Sequence, residues 1–550
     1  MSREPVFPRT RHVALSALEH AGEAKAEGGE AILVPIRVAA EQAGKEPSVL
    51  PWTVAVDIAQ PQGEVDQCRA RDGSPAPVRC ASSLEGRQAA GDAAAGAAQL
   101  GEAVLLEGLD RWYRLGPEGA GYCRSCELAL VEFLRESYGD HLQRFDALEP
   151  LRASVLPPAE RPFARQKEAL RFADAVEAGK RAVLRARDEA RRTRGVELSL
   201  LGRVGPLSPV ALQLCRHLDG LVFELPSLDP LQALLPLLAA RAALGQRPAV
   251  AVLPAEATAA QVRLFAALTA ACDTDLLLPA GAAAEPRAAL ALHRTFLALV
   301  RERYRATEPV LDAEILVSPR CDHWTQGAHL RAATACAAAL ARAQLQPAVR
   351  LDLSGGTRAP LLILAGAGAL PESDAQAARR HVEAGGDLLI FGKAAALDDE
   401  GRIGDPLFPE VKSGLDRVGE GRVYALEEGA PAAQEALLAR ALRELSGRGR
   451  AQITLAGRGK VFARAYLDPE RKLDVHLVNL DLHEGGLSAA QGVQITIAGQ
   501  AAGGGRAGYW FAQERAGGKD GERITLNPSG FSVSTILPSI DAYALLAVPR

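Results

Sequence analysis

Over the first 308 residues, short apolar runs alternate with longer amphipathic stretches. The runs are HVALSAL (12–18), AILVPIRV (31–38), WTVAVDI (52–58), AVLLEGL (103–109), VELSLLG (196–202), LDGLVFEL (218–225), PAVAVLP (248–254) and TDLLLPA (274–280). Their nearly continuous apolar character fits strands covered on both faces, because alternation is expected only where one face meets water. Between most of them lies a stretch with helical spacing, such as FADAVEAGKRAVLRARDEARR (172–192). Eight such strands with helical crossovers predict a (β/α)8 TIM barrel over residues 1–308. From 309 the pattern restarts with AEILVSP (313–319), APLLILAGAGAL (359–370), the helix SDAQAARRHVEAGG (373–386) and the strand DLLIFGK (387–393). This predicts a doubly wound, flavodoxin-like α/β domain over 309–450. Alternating runs such as KLDVHLVNLDL (472–482) and GVQITIAG (492–499) then predict a β-sandwich over 451–550.

Composition narrows the partners. A chain of 550 residues exceeds what one hydrophobic core supports, in keeping with several domains. A net charge of −4 with no clustered basic surface excludes nucleic acid as the expected partner. The arginine-rich RARDEARRTRG (185–195) reads as the solvated side of a helix. No run of apolar residues is long enough to span a membrane, and MSREPVFPRTRH at the start has no apolar leader core. Eight cysteines are too few for a disulfide scaffold. A cytoplasmic, reducing location is the expectation.

Active sites of such barrels lie at the carboxyl ends of the strands, which turns many acids into a short list. The fourth run ends in Glu107 and Asp110, followed by Arg111, Trp112, Tyr113 and Arg114; the sixth ends in Glu224, the seventh in Glu256. Two carboxylates across a cleft are what glycosidic-bond hydrolysis needs, one as proton donor and one to attack or to activate water. Asp110 is the expected acid/base, with Glu256 or Glu224 as its partner. Trp112 and Tyr113 are the expected sugar platforms, and Arg111 and Arg114 the polar contacts. An Asp beside two arginines also serves as an ion pair closing a barrel rim, and that reading stands beside the catalytic one. Glu107 lies earlier in its run and points either into the barrel or toward the helices. His323 and Trp324, in SPRCDHWTQG after a strand, are either ligand contacts or solvated loop residues.

GYCRSCELALVEFLRESYGDHLQRFDAL (121–148) resembles the segment after the acid/base glutamate of family-42 β-galactosidases, where a Cys-rich knot leads into a helix. VDQCRARDGSPAPVRCASSLEGR (65–87) with LDRWYR (109–114) is similar to an xxDG…VR stretch and LDxxR motif of glycoside-hydrolase-like barrels. Residues 361–402 look like the family's amidotransferase-like middle domain, and DVHLVNLD (474–481) like its closing β-domain. The resemblance implies β-galactosidase-like hydrolysis of a carbohydrate substrate, no cofactor for catalysis, and a homo-oligomer, a trimer in the family. Leu109-Asp110 stands where the family has Asn-Glu, and LPAE (253–256) where it has Met-Glu. The alternative is therefore a catalytically degenerate carbohydrate-binding or assembly protein on the same scaffold. The middle domain has no cysteine at a strand-to-helix elbow, so amidotransferase chemistry is not expected there.

Cys123 and Cys126 have zinc-ligand spacing, and Cys68 and Cys80 precede them in a neighbouring loop. Four thiolates would complete a closed structural zinc site, and the family resemblance points the same way. Cys80 as a plain buried loop residue is the competing reading. Cys215, Cys272, Cys321 and Cys336 sit alone among apolar residues, as core cysteines do.

Overall fold

The computed structural model describes residues 52–138, 163–300, 308–392, 406–446 and 452–549, short gaps apart, together with two strands near the start. The opening segment 1–12 and the end of the segment that resembles family 42, 139–148, lie outside the described residues. Two compact units are present. The first holds Met1–Glu224, Ala243–Val252 and Pro319–Gly327; the second holds Leu225–Ala242, Leu253–Ser318 and Ala328–Arg550.

Each of the eight apolar runs contains one strand of an eight-stranded sheet. They are β1 (Val13–Leu15), β2 (Ala31–Pro35), β3 (Trp52–Asp57), β6 (Ala103–Glu107), β7 (Ser199–Pro206), β8 (Gly220–Glu224), β9 (Ala249–Val252) and β10 (Asp275–Leu277). Their order in the sheet follows the chain, as a (β/α)8 barrel requires. In β6, β8 and β9 every residue is buried apart from the final Glu107 and Glu224, which explains the unbroken apolar runs and their acidic ends. Strand β7 continues past the apolar run through Arg203 to Pro206, and its polar end is part of the rim.

One insertion departs from the simple alternation. Between β3 and the helix Leu84–Leu100, the chain makes an antiparallel hairpin of β4 (Gln67–Arg69) and β5 (Pro75–Arg79). A buried ion pair fixes it: Arg79 Nε donates to Asp66 at 2.9 Å while Arg79 Nη1 donates to the Ile58 carbonyl at 3.1 Å. A buried pair gains from such extra hydrogen bonds, which offset desolvation. The 31-residue helix Ala164–Arg194 follows, tied at one end by Arg171 and near the other by Arg187, whose Nη2 donates to both oxygens of Asp219 at 3.1 Å. Asp219 in turn accepts from Leu200 N at the start of β7.

In the second unit, β11 (Glu308–Pro309) pairs antiparallel with Val461–Leu467. A mixed sheet follows in the order β13-β12-β14-β15-β17-β16, from β12 (Ala313–Leu316), β13 (Pro347–Arg350), β14 (Leu361–Ala365), β15 (Asp387–Phe391), β16 (Gly414–Val418) and β17 (Gly421–Leu426). All its pairs are parallel except β16 with β17, the doubly wound arrangement the sequence predicts. Past it, a six-stranded and a four-stranded antiparallel sheet share a core that includes Ile453, Val475, Leu477, Ile495, Ile497, Trp510 and Leu546.

Candidate active site

At the carboxyl ends of β3, β6 and β7, register alone sets three charged residues side by side: Asp57 is the partner of Glu107, and Glu107 of Arg203. Arg203 Nη1 donates to Glu107 Oε1 at 2.8 Å. The chain then reverses at Gly108, whose φ of +77° suits glycine; a Cβ there would meet Asp57 Oδ1 at 2.6 Å. Arg111–Arg114 makes a single helical turn. At about 100° per residue, a turn puts positions i and i+3 on one side and the residues between them elsewhere. Arg111 and Arg114 accordingly face the barrel mouth, and Arg111 donates to Asp57 at 2.5 Å.

These groups line a cavity of about 290 Å³ together with Gly108, Asp110, Val204, Gly205 and Glu224. Asp110 is 1 % exposed and its Oδ2 has no hydrogen-bond partner. Burial pushes its carboxyl above the ordinary aspartate value, against the opposing pull of the Ser208 hydroxyl and of Arg114 and Arg111. A carboxyl whose pKa is raised by burial, at the wall of a polar cavity, is suited to donate a proton. Glu224, at the end of β8, is exposed and faces the same space.

Trp112 and Tyr113 turn away from this cavity. Arg171, 1 % exposed, donates to the Trp112 carbonyl at 2.9 Å and the Tyr113 carbonyl at 3.0 Å, and its guanidinium lies 5.3 and 5.8 Å from their ring centroids. Tyr113 also meets Phe172 edge-on at 6.2 Å. The two rings are supports of the turn, packed on the long helix, and do not line the cavity where sugar platforms were expected. Glu256 sits on the exposed turn after β9. His323 is buried, stacked 4.8 Å from Phe172, and does not line the cavity either. Glu107 does line it. Sequence reading missed Asp57 and Arg203. The available signals were an Asp one residue from the end of WTVAVDI and a lone Arg closing an apolar run.

The four expected thiols converge. Cys68, Cys80, Cys123 and Cys126 place their sulfurs within 4.8 Å of one another, with Cys80 3.3 Å from Cys123 and 3.5 Å from Cys126, Cys123 3.4 Å from Cys126, and Cys68 3.8 Å from Cys126. A tetrahedral zinc with ~2.3 Å bonds spaces its sulfurs by about 3.8 Å, so this donor set fits that ion. Two scaffolds bring it about: Cys68 lies in β4 and Cys80 just past β5, while Cys-x-x-Cys opens the helix Arg124–Tyr138. Gly121 N donates to Cys68 Sγ at 3.2 Å, a backbone contact suited to a thiolate. Lys167 stands near Cys126, its Nζ 3.2 Å above the Tyr122 ring, and burial lowers its pKa to about 7. Trp112 borders Cys68, so the knot backs onto the turn whose other side lines the cavity. Cys215, Cys272, Cys321 and Cys336 are buried, as expected.

No family model and no curated protein matches this sequence. Solved structures do. The likeness is one of fold: a (β/α)8 barrel followed by a mixed sheet and antiparallel sheets. Along its whole length the chain has the fold of the GH42 β-galactosidases. It superposes on the β-galactosidase of Bacillus circulans sp. alkalophilus with a TM-score of 0.71 at 12 % identity over 99 % of both chains. A catalytic mutant of a GH42 β-galactosidase from G. stearothermophilus gives 0.70 at 10 % identity, covering both chains fully. The α-L-fucosidase isoenzyme 2 of Paenibacillus thiaminolyticus gives 0.64 at 12 %, over 99 % of this chain and 100 % of its own. No helix among the described residues is long and apolar enough to cross a membrane.

Proposed function

We propose that this chain hydrolyses a glycosidic bond, with Asp110 as proton donor and Glu224 as the second carboxylate. The observation that carries the reading is the Asp110 carboxyl: buried, unpartnered at Oδ2, and held above its ordinary pKa at the wall of a polar rim cavity. Asp110 protonates the leaving oxygen as the bond to the sugar breaks. Glu224 attacks the anomeric carbon or activates a water there, according to the span left between the two groups. Glu107, paired with Arg203 at 2.8 Å, sets a carboxylate beside the positive charge that develops on the sugar ring. The names of the superposed enzymes make β-galactosides the first substrates to try.

The test is the dependence on leaving group. Asp110→Asn should slow an aryl galactoside with a poor leaving group by about 10²–10⁴-fold, yet slow an activated dinitrophenyl galactoside far less. Equal losses on both would remove Asp110 from the proton-donor role. A second reading, a binding protein that kept the scaffold, is favoured by LPAE (253–256) at the seventh strand, where the family this chain resembles has Met-Glu. Calorimetric sugar binding with no turnover of any glycoside would establish it.

Cys68, Cys80, Cys123 and Cys126 would hold a structural zinc. When bound, the ion supplies cross-linking of hairpin to helix and no chemistry at the sugar. Elemental analysis of the purified protein should find about one zinc per chain; a metal-free chain of unchanged melting temperature would remove this assignment.

A further inference from the structure

Three guanidinium groups line the rim cavity, and their charges are not equivalent. Arg203 is matched by Glu107 at 2.8 Å and Arg111 by Asp57 at 2.5 Å. Arg114 has no carboxylate at ion-pair distance among the described residues. Its position is nevertheless defined. The guanidinium lies against Gly205 at the end of β7, where a Cβ would come within 1.9 Å of Nη1 and 2.4 Å of Cζ. The strand therefore leaves a seat for a planar cation, and the absence of a side chain at 205 makes the seat. Glu224, which has no ion-pair partner among the described residues, projects from the next strand without pairing to Arg114. Two opposite charges left apart across one small cavity suit a ligand that is itself polarised: hydroxyls toward Glu224, an anionic substituent toward Arg114.

We propose that Arg114 on its Gly205 seat is an anion-recognition subsite, and that the preferred sugar carries an oxyanion group, a carboxylate or a sulfate ester. A guanidinium fork matches both groups with two parallel hydrogen bonds, and a charge-assisted pair is stronger than any contact to a neutral hydroxyl. This rests on the sugar reading above and sharpens it to a substrate class.

The experiment measures binding of galactose, galacturonate and galactose 6-sulfate to the full chain by calorimetry at low and at high salt. One of the two anions should bind at least about tenfold tighter than galactose, and the margin should shrink with salt. The preferred anion distinguishes carboxylate from sulfate. Arg114→Gln should bring the anion-to-neutral ratio close to one, and Arg114→Lys should keep part of it. Gly205→Ala, which displaces the cation without removing it, should lower the ratio at an unchanged melting temperature. Galactose binding as tightly as both anions, or a ratio that survives Arg114→Gln, overturns the subsite while leaving the sugar reading intact. Failure of all three sugars to bind overturns both.

Discussion

The barrel and the doubly wound domain both present the carboxyl ends of parallel strands, the edge where such folds place their ligands. They use that edge in opposite ways. At the barrel rim a buried acid is left without a partner at Oδ2, facing a cavity. At the switch between β12 and β14, by contrast, the imidazole of His329 fills the position. It is wholly buried, its Nε2 accepts from Ser318 N at 2.9 Å, and its Nδ1 donates to the Ala365 carbonyl at 2.6 Å. One edge has polar capacity unspent; the other has satisfied both ring nitrogens within the protein. An edge position in a fold is thus only an opportunity, and unmet hydrogen-bonding capacity decides whether a ligand is invited.

The contrast can be broken by substitution. The largest effect is expected for Asp110→Asn, which should cut kcat/KM on unactivated glycosides about 10²–10⁴-fold. Its melting temperature should hold or rise, because a buried group that resists ionisation is replaced by a neutral one. His329→Ala should do the reverse: about 2–4 kcal/mol of stability lost in urea titration, with turnover per folded molecule retained. A loss of turnover at constant stability would mean that the middle domain's edge is functional after all.

Acid should separate the two edges as well. Burial pushes His329 down to about 4 from the ordinary 6.5, so between those values the unfolded chain binds a proton that the folded one refuses. Stability from this group is fully present above pH 6.5 and falls with acidification by about 1.4 kcal/mol per unit until pH 4. Because His323 and His476 are lowered by burial in the same direction, the measurement is the difference in slope between the parent chain and His329→Gln. Asp110 contributes with the opposite sign, since its raised pKa lets the folded state hold the proton longer. The smallest effect is expected for Arg171→Lys, which cannot reach both carbonyls of the turn. A roughly tenfold fall in kcat/KM with an unmoved pH profile would identify it as a positioning residue.

The barrel was legible because strands covered on both faces need unbroken apolar runs, and eight of them survive in the sequence. The hairpin from Gln67 to Arg79 was not, since its strands of 3 and 5 residues carry charges and lack an apolar stripe. Asp110 was visible as an acid closing an apolar run. The facing of Trp112 and Tyr113 was not, because it depends on four residues winding into a helical turn, and so short a segment has no periodicity to read. Arg203 and Asp57 acquire meaning only through strand register, which joins residues far apart in sequence. The thiols lay between these extremes: Cys-x-x-Cys was plain, and its partners became certain only when the hairpin folded back.

Gly108 has no side chain to offer a ligand, yet it holds the geometry of the rim. A saturation library over this loop should therefore be nearly barren at codon 108, while the exposed guanidinium position three codons past Arg111 tolerates many replacements and retunes what is accepted. Adaptation of this scaffold to new sugars would then be channelled through the periphery, with the pivot itself frozen.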